Sequence, residues 1–547
     1  MKGSDVVTSI LKKEGVDFMG CIPYNTLEEA AAVAGIRPLI FRQERVGVNL
    51  ADGYSRVTNG RSIGVFTMQA GPGAENAFPG VAQAYADSVP ILLLPASANR
   101  DRSGVRPTFS PSRSYQDVTK WSEQVNLPHR IPEMMRRAFS QLRNGRPSPV
   151  LLELPSDILA ADISEELLDY SPVKAVRTAG DPKDITEVAR LLMRAKRPVI
   201  HAGQGVLYAE AWNELKELAE LLRAPVMTTL AAKSVFPEDH PLSLGSGGAT
   251  TTLPVVHFLR HADLVFGIGC SFTRTSFGVD IPPGKVMIHS TNDDDDINKD
   301  YTIDQAIIGD AKLVLTQLIT ELKSQMVTSG PGGEDPTKEV KAVKDDWMKE
   351  WMPKLTSDET PINPYRVIWD LMHNIDRRKS IVTHDSGSPR NQMTPFFQAL
   401  TPRGFIGWGK STQLGYGLGL AMGAKMAAPD KLAVNVMGDY AFGMVGLDFE
   451  TAVREEIPIL TIVLNNSAMG VYDDSRFPEA NRRYRTKYLT GNYAKVAQAM
   501  GGHAERVEEP WQIVPALQRA QKIVSQGQPA LLEFITREER SFSCSDR

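Results

Sequence analysis

A strand, helix, strand pattern in the last third of the chain constrains the fold more than any other feature. An apolar run suited to a strand, Leu432 to Met437, ends in Gly438-Asp439, and a helical pattern begins near Leu447. A second apolar run, Ile459 to Leu464, ends in Asn465-Asn466. A helix that joins two neighbouring parallel strands makes a right-handed crossover, which leaves both carboxyl ends at one edge of the sheet. The pattern therefore predicts an α/β unit whose two strands end side by side.

The polar residues at these two strand ends form a candidate binding site. Ligands of open α/β sheets bind at the carboxyl edge, so Asp439 and Asn466 are expected to meet there. A carboxylate and an amide oxygen are hard ligands that suit Mg²⁺ shared with a diphosphate, and Gly438 lets the backbone approach phosphate oxygens closely. Either residue pair alone is explained as a turn that ends a strand. Both together, on consecutive strands, indicate a diphosphate site.

Short strands and helices alternate along the whole chain, which has 547 residues. This length favours about three domains, and the alternation favours parallel sheets covered by helices on both faces. We predict the α/β class with three doubly wound parallel-sheet domains, at residues 1–163, 184–327 and 360–547. Residues 164–183 and 328–336 are predicted linkers, and the second is followed by an exposed helix over residues 338–349.

Composition excludes several classes of function. The formal net charge is −4, which gives no general affinity for polyanions, so nucleic acid is not an expected partner. Cys21, Cys270 and Cys544 are far apart and have no metal-ligand spacing, which is typical of a reducing compartment. No apolar run reaches the length of a membrane span. We expect a cytoplasmic protein without a membrane partner.

The Gly438-Asp439 and Asn465-Asn466 pairs resemble the diphosphate-binding signature of thiamine diphosphate (ThDP) enzymes. The third residue of the usual Gly-Asp-Gly is here Tyr440, which keeps the metal ligand but changes the wall beside the phosphates. The resemblance implies that Asp439 and Asn466 bind Mg²⁺ with their side chains and that Ala468 binds it with its backbone carbonyl. It also assigns the following residues to cofactor contacts: Gly438, Tyr440, Ala441, Asn466, Met469 and Gly470.

A second resemblance covers the first domain. Gln43-Glu44, the run from Ala51 to Arg56, Ala70-Gly-Pro-Gly73 with Asn76, and the run from Tyr85 to Pro90 are similar to the pyrimidine-binding domain of acetolactate-synthase-like ThDP enzymes. Glu44 stands where a strand gives way to a helix, a position where a glutamate also serves simply as a partner of the helix dipole. The resemblance implies a homodimer as the smallest working unit, with a tetramer common, and active sites between subunits.

The resemblance gives Glu44 a catalytic role. In ThDP enzymes a carboxylic acid bonded to the aminopyrimidine favours the imino tautomer, which takes the proton from C2 of the thiazolium. Glu44 in an apolar pocket would have a raised pKa suited to this proton transfer. Pro23, Gly73 and Asn76 are expected beside the same ring. Gln116 and Tyr115 are assigned to substrate contact, and the alternative for Tyr115 is a loop aromatic that covers the domain surface.

Two segments of the third domain are expected to complete the cofactor site. Ser386, Gly387 and Ser388 follow a strand end, and Ser411 follows another, so their hydroxyl and N–H groups are suited to an anion. Family members place a bulky apolar residue between the two cofactor rings to hold the molecule bent, and the resemblance assigns this position to Leu414. The alternative is that Leu414 is an ordinary core leucine.

The sequence of the central domain does not identify its ligand. Gly203-Gln-Gly205 follows a strand, yet the third glycine and the acidic residue of a dinucleotide fingerprint are missing, which favours a tight turn. The segment resembles the central domain of acetolactate-synthase-like enzymes, which binds FAD, ADP or coenzyme A, or nothing. Arg274 and the tetra-aspartate Asp293–Asp296 lie at predicted strand ends where such a ligand would be.

Three functions follow from the resemblance. The leading hypothesis is decarboxylation of a small 2-oxo acid such as pyruvate with transfer of the remaining carbanion to a second carbonyl compound, as in acetolactate synthases. The runs Gly438–Gly443 and Arg42–Glu44 look more like oxalyl-CoA decarboxylases and 2-hydroxyacyl-CoA lyases, so an acyl-CoA substrate is the alternative. A ThDP-fold protein that binds without turnover is the third.

Overall fold

The computed structural model describes the whole chain except residues 24–25, 165–168, 330–334, 471, 473 and 546–547. It contains three six-stranded sheets in which every pair of neighbouring strands is parallel. Helices cover both faces of each sheet, which is why the central strands are buried along their full length. The predicted α/β class with three doubly wound sheets is confirmed. Parts of both predicted linkers, and two residues of the loop after Pro23, lie outside the described residues.

The first sheet has the strand order β2-β1-β3-β4-β6-β5. Its strands are β1 Phe18–Cys21, β2 Arg37–Ile40, β3 Gly64–Gln69, β4 Ile91–Ser97, β5 Trp121–Gln124 and β6 Val150–Pro155. Its α-helices are Gly3–Lys13, Thr26–Val33, Glu44–Val57, Pro72–Ala86, Pro111–Ser114, Ile131–Arg143 and Ser156–Ala160. Strand β2 leads into the Glu44–Val57 helix, so the chain turns at Arg42 and Gln43.

The central sheet has the strand order β12-β11-β10-β7-β8-β9. Its strands are β7 Pro198–Ala202, β8 Val226–Thr229, β9 Ser243–Gly247, β10 Leu264–Ile268, β11 Val286–Thr291 and β12 Gln305–Ile308. Its α-helices are Pro182–Arg194, Gly205–Tyr208, Trp212–Leu222, Leu253–His261 and Ala311–Ser329.

The third sheet has the strand order β14-β13-β15-β16-β18-β17. Its strands are β13 Ser380–His384, β14 Phe405–Ile406, β15 Leu432–Gly438, β16 Ile459–Asn465, β17 His503–Val507 and β18 Ala530–Ile535. Its α-helices are Pro364–Asn374, Ser388–Phe396, Tyr416–Ala427, Asp439–Val445, Phe449–Arg454, Pro478–Tyr484, Tyr493–Ala499 and Ile513–Ser525.

The structure adds to two sequence predictions about helices. The helix predicted to begin near Leu447 is Phe449–Arg454, but a further helix, Asp439–Val445, precedes it, because Gly438 is extended and the chain turns into this helix at once. The helix predicted as exposed over residues 338–349 is longer, Thr337–Leu355, and is only partly exposed. Trp347 and Trp351 on this helix are buried in the third domain, where Trp347 stacks on Phe396 with 5.0 Å between ring centroids. The aromatic pair therefore holds the connecting segment to the core.

The first and third domains touch through two helices with small residues. A Cβ atom added to Gly53 would lie 2.3 Å from the carbonyl oxygen of Leu420, and one added to Gly423 would lie 2.1 Å from that of Leu50. The backbones of the Glu44–Val57 and Tyr416–Ala427 helices are therefore in direct contact, at a distance that only glycine permits. This places the residues after β2 beside the residues before the third-domain helix.

A buried ion network reinforces the same junction. Arg56 is fully buried and donates to Asp52 at 2.9 Å and to the carbonyl oxygen of Gly407 at 2.8 Å. Its second carboxylate partner, Asp87, accepts the backbone N–H of Gly409 at 3.0 Å. The segment that follows β14 is thus fixed to the first domain through charges that have no contact with solvent.

Candidate active site

The carboxyl ends of β15 and β16 lie side by side, as predicted. Gly438 pairs with Leu464 in the parallel register, so Asp439 and the residues after Asn465 emerge at one edge. Asp439 is buried, and its Oδ1 accepts the backbone N–H of Tyr440 at 2.7 Å. Oδ2 is also buried and has no hydrogen-bond partner among the described residues. Burial raises the pKa of Asp439 to about 6, and backbone N–H groups offset part of this rise.

The turn after β16 is compact and presents oxygen atoms to the same edge. Asn466 Oδ1 accepts the N–H of Ala468 at 3.1 Å, and a Cβ added to Gly470 would lie 2.6 Å from Asn466 Nδ2. An orphaned carboxylate oxygen beside amide and carbonyl oxygens fits a hard divalent cation. In the part of the chain that the structure describes, there is no group of three His, Cys, Asp or Glu side chains suited to a metal. A metal site made of one carboxylate, one amide oxygen and one backbone carbonyl oxygen does not need such a group.

A cavity of about 280 Å³ opens at this edge. It is lined by most of the predicted diphosphate-side residues, namely Ser386, Gly387, Ser388, Leu414, Gly438, Tyr440, Ala441, Asn466, Ala468, Met469 and Gly470. The structure therefore brings together residues from four separate strand ends. Asp439 and Ser411 are not among the lining residues. The neighbours of Asp439, Gly438 and Tyr440, line the cavity, and so does Thr412, the neighbour of Ser411.

Asp385 organises one wall of this cavity, and sequence reasoning missed it. It is fully buried and accepts the N–H groups of Ser386 at 2.7 Å, Gly415 at 3.0 Å and Gly417 at 2.8 Å. Burial raises its pKa to about 6. The carboxylate ties the turn after β13 to the segment that carries Leu414. An aspartate directly after an apolar strand and before a glycine turn is the signal that was available in the sequence.

Leu414 is half-buried, lines the cavity and packs against the core shared by the first and third domains. Gly415, the next residue, has φ +84°, a left-handed conformation that suits glycine. Because this turn is held by Asp385, the leucine side chain stands at a fixed place in the wall. Both the wedge and the core alternatives are compatible with this position.

The pyrimidine-side residues form a separate cluster on the first domain. Glu44 is the first residue of its helix and is only 7 % exposed. Burial raises the pKa of the Glu44 carboxyl, opposed by its own backbone N–H and by Asn76. A Cβ added to Gly73 would lie 3.3 Å from Glu44 Oε1. The structure thus joins Glu44, Gly73 and Asn76, while Pro23 is an exposed residue after β1.

The predicted pair Tyr115 and Gln116 divides between core and surface. Tyr115 is completely buried; its hydroxyl donates to the carbonyl oxygen of Ala74, and its ring meets Phe78 edge-on at 5.2 Å. Burial also raises the pKa of the tyrosine hydroxyl. The expectation that Tyr115 packs on a substrate does not fit this placement, because no part of its side chain is accessible. Gln116 is exposed at the start of a short 3₁₀ turn.

The two clusters do not share a cavity within one chain. None of Pro23, Glu44, Gly73, Asn76 and Gln116 lines the cavity at Asp439, judged over the described residues. The loop before Glu44 nevertheless contacts the third domain, since Gln43 Nε2 donates to the carbonyl oxygen of Met444 at 3.2 Å. The Glu44 cluster therefore lies next to the third domain but outside the cavity of its own chain.

A larger cavity, about 670 Å³, lies where the three domains meet. Gln204, Gly205, Asp296 and Lys410 are among its lining residues. A Cβ added to Gly203 would lie 2.2 Å from the carbonyl oxygen of Gly269, which supports a tight turn at this Gly-x-Gly.

The acidic run beside this cavity is partly neutralised. Arg146 from the first domain pairs with Asp293 at 3.0 Å and with Asp296 at 2.7 Å. Arg274 pairs with Asp280 at 3.3 Å outside the cavity, so it is not placed to bind a ligand there.

These features are those of an α/β protein with a candidate anion site at the carboxyl edge of a parallel sheet. Three family models match the chain: the N-terminal TPP binding domain of thiamine pyrophosphate enzymes at residues 1–124, the central domain at 185–318, and the C-terminal TPP binding domain at 385–534. A probable acetolactate synthase large subunit from Methanococcus aeolicus is 31 % identical over 98 % of this chain and 92 % of its own. The chain belongs to the thiamine pyrophosphate enzyme family and is a ThDP-dependent enzyme.

One further relative agrees with this assignment, and one solved structure shares the fold. A glyoxylate carboligase from Escherichia coli O157:H7 is 28 % identical over 98 % of this chain and 93 % of its own. The crystal structure of benzoylformate decarboxylase from Polynucleobacter necessarius covers 99 % of both chains with a TM-score of 0.82 at 22 % identity, a likeness that concerns the fold. Among the helices that the structure describes, none is long and apolar enough to cross a membrane.

Proposed function

We propose that this enzyme decarboxylates a small 2-oxo acid, with pyruvate as the first candidate, and transfers the remaining carbanion to a second carbonyl compound. The observation that carries the proposal is the buried, unpartnered Oδ2 of Asp439, at the strand end next to the cavity that Gly438, Tyr440 and Asn466 line. The relatives named acetolactate synthase and glyoxylate carboligase support it.

The proposal gives each cluster a role. When bound, ThDP would supply a nucleophilic carbon and an electron sink for decarboxylation. Asp439 and Asn466 hold Mg²⁺ with their side chains, and Ala468 holds it with its carbonyl oxygen. Ser386 and the N–H groups at the start of the Ser388–Phe396 helix bind the diphosphate. Glu44, whose pKa is raised by burial, holds and releases the proton at the pyrimidine nitrogen.

We further propose that two copies of the chain complete each site. Glu44 lies outside the cavity of its own chain, so a second copy must supply the pyrimidine side. Exposed apolar side chains surround the Glu44 loop: Phe78 is 38 % exposed, Met444 39 % and Leu447 61 %. An apolar surface of this kind beside an incomplete site suits an isologous interface between copies. A homodimer or homotetramer is therefore the expected working form.

The cavity between the three domains is the proposed place for FAD, ADP or coenzyme A. Its volume and the half-buried ammonium of Lys410, which lines it, suit a ligand with anionic groups. Mass spectrometry of the small molecules that co-purify distinguishes flavin, adenine nucleotide and coenzyme A from an empty cavity. Cys21 and Cys270 are free thiols, and cysteines without disulfide bonds suit the proposed cytoplasmic location.

The decisive experiment supplies pyruvate to the protein with ThDP and Mg²⁺. Release of CO₂ together with acetolactate is the expected result, and omission of ThDP is the control. Cleavage of a 2-hydroxyacyl-CoA without pyruvate turnover would support the alternative acyl-CoA function instead. Tight ThDP binding without turnover of either substrate class would refute both proposed substrate assignments.

A further inference from the structure

One arginine in the cavity at Asp439 has no counter-charge. Arg390 lies in the first turn of the Ser388–Phe396 helix and is 6 % exposed. Its guanidinium is stacked against two aromatic rings, 4.6 Å from the centroid of Phe277 and 4.7 Å from that of Trp408. Its Nε donates to Asn391 Oδ1 at 2.8 Å. These contacts hold the planar group in one orientation.

The charge of Arg390 is left uncompensated. No aspartate or glutamate among the described residues pairs with it, and Nη1 makes no hydrogen bond to them. Burial lowers the pKa of the Arg390 guanidinium to about 10, with no acidic neighbour to oppose the shift. Arg537 lines the same cavity but is paired with Glu359 at 2.8 Å. A buried cation without a partner is unfavourable, and Arg390, unlike Arg403, lines a cavity where an anion could compensate its charge.

The position of Arg390 separates two spaces. Arg390 and Phe277 line the cavity at Asp439, and Phe277 also lines the larger cavity between the three domains. Phe277 therefore stands between the two cavities, and the guanidinium stacked on it belongs to the side of the diphosphate cradle. A substrate that enters this cradle meets the guanidinium.

We propose that Arg390 binds the carboxylate of the substrate and so selects 2-oxo acids over neutral carbonyl compounds. The inference rests on the proposed function and extends it to substrate recognition. Guanidinium and carboxylate groups form paired, charge-assisted hydrogen bonds, and aromatic stacking fixes the guanidinium plane for such a pair. The other anion available to this cation is the diphosphate of the cofactor, and the experiment separates the two.

The test compares Arg390→Gln, Arg390→Lys and a control, Arg403→Gln, in the full-length protein. Arg403 is also a buried arginine stacked on an aromatic ring, 4.8 Å from the centroid of Tyr208, but it lines neither cavity. We expect Arg390→Gln to raise KM for the 2-oxo acid about 10- to 100-fold, because the substitution removes a charge-assisted hydrogen-bonded pair. The affinity for ThDP should change less than twofold. Arg390→Lys recovers part of the loss, and Arg403→Gln leaves KM unchanged.

A second measurement does not need turnover. Calorimetric titration of the ThDP- and Mg²⁺-loaded protein with methyl acetylphosphonate, an anionic analogue of pyruvate, should give at least tenfold weaker binding for Arg390→Gln than for Arg403→Gln. This result upholds the inference even if no 2-oxo acid is turned over. The absence of turnover would refute only the proposed function. If the unsubstituted protein binds ThDP but neither turns over a 2-oxo acid nor binds the phosphonate, both ideas fail.

Two results would overturn the inference while leaving the proposed function in place. One is turnover of the 2-oxo acid by Arg390→Gln with an unchanged KM. The other is a tenfold or greater loss of ThDP affinity in Arg390→Gln with no change in KM, which would assign the guanidinium to the diphosphate.

Discussion

Replacement of Asp439 by asparagine should stabilise the cofactor-free protein and abolish its response to Mg²⁺. Burial raises the pKa of this carboxyl from an ordinary value near 3.8 to about 6. A pKa unit corresponds to about 1.4 kcal/mol, so the charged carboxylate costs the free protein about 3 kcal/mol at neutral pH. Asparagine removes the charge, keeps the shape and still accepts the N–H of Tyr440.

The sign of the pH dependence follows from the direction of the shift. Because the folded-state pKa is raised, the cost is absent below about pH 4, grows as the pH rises and is complete above about pH 6. For a domain of this size about 3 kcal/mol corresponds to a rise in Tm of roughly 6–12 °C. Asp439→Asn should therefore melt higher than the unsubstituted protein at pH 7.5, and the difference should vanish near pH 4.

Scanning calorimetry of the cofactor-stripped protein measures the stability of the free form. Repeating it with saturating ThDP and Mg²⁺ measures the stabilisation by the cofactor. At a ligand concentration 100 times Kd, the free energy of unfolding of the unsubstituted protein rises by about 2.7 kcal/mol, whereas that of the variant rises little. The difference between the two Tm values therefore disappears or changes sign. Asp101→Asn, at an exposed carboxylate, is the control and should show neither effect. A variant that melts lower than the unsubstituted protein when stripped at pH 7.5, or that keeps Mg²⁺-dependent ThDP affinity, refutes the reasoning.

Three other predictions test the remaining parts of the structure. Glu44→Gln should keep ThDP affinity but slow exchange of the C2 proton by about 10²–10⁴-fold, measured by NMR, and unchanged exchange would remove Glu44 from its proposed role. Arg56→Met should lower stability by about 3–5 kcal/mol in thermal unfolding, because it leaves buried carboxylates unpaired; adding Asp52→Asn should restore part of the loss, and additive effects would contradict the network. Gly423→Ala should cost about 1–3 kcal/mol because its Cβ would meet the carbonyl oxygen of Leu50, and an unchanged Tm would show that the helices separate freely.

The junction between the first and third domains explains how sites on different domains keep their geometry. Gly53 and Gly423 allow direct backbone contact, and Arg56 fixes the segment after β14 through fully buried charges. That segment continues into Thr412 and Leu414 in the cavity wall. Packing far from the cofactor site therefore sets the position of its wall.

Residue patterns predicted those parts of the site that follow from local chain direction. Asp439 and Asn466 could be placed together because parallel strands joined by a helix end at one edge, whatever the rest of the molecule does. Glu44 could be singled out from the motif around it, but its burial depends on Gly73 and Asn76 from a different helix. Tyr115 shows the limit of this reasoning, since a loop aromatic is equally suited to a ligand or to the core.

The sequence alone determined the α/β class, the three parallel sheets and the residues at the strand ends. The reason is that the spacing of apolar residues, the turn residues and the handedness of the crossovers are local properties. Tertiary structure alone decided which charges lack partners. Arg390 and Arg537 line the same cavity, yet only the packing shows that Glu359 neutralises one and that aromatic rings enclose the other. Charge compensation depends on contacts between residues distant in the chain, and no local pattern encodes them.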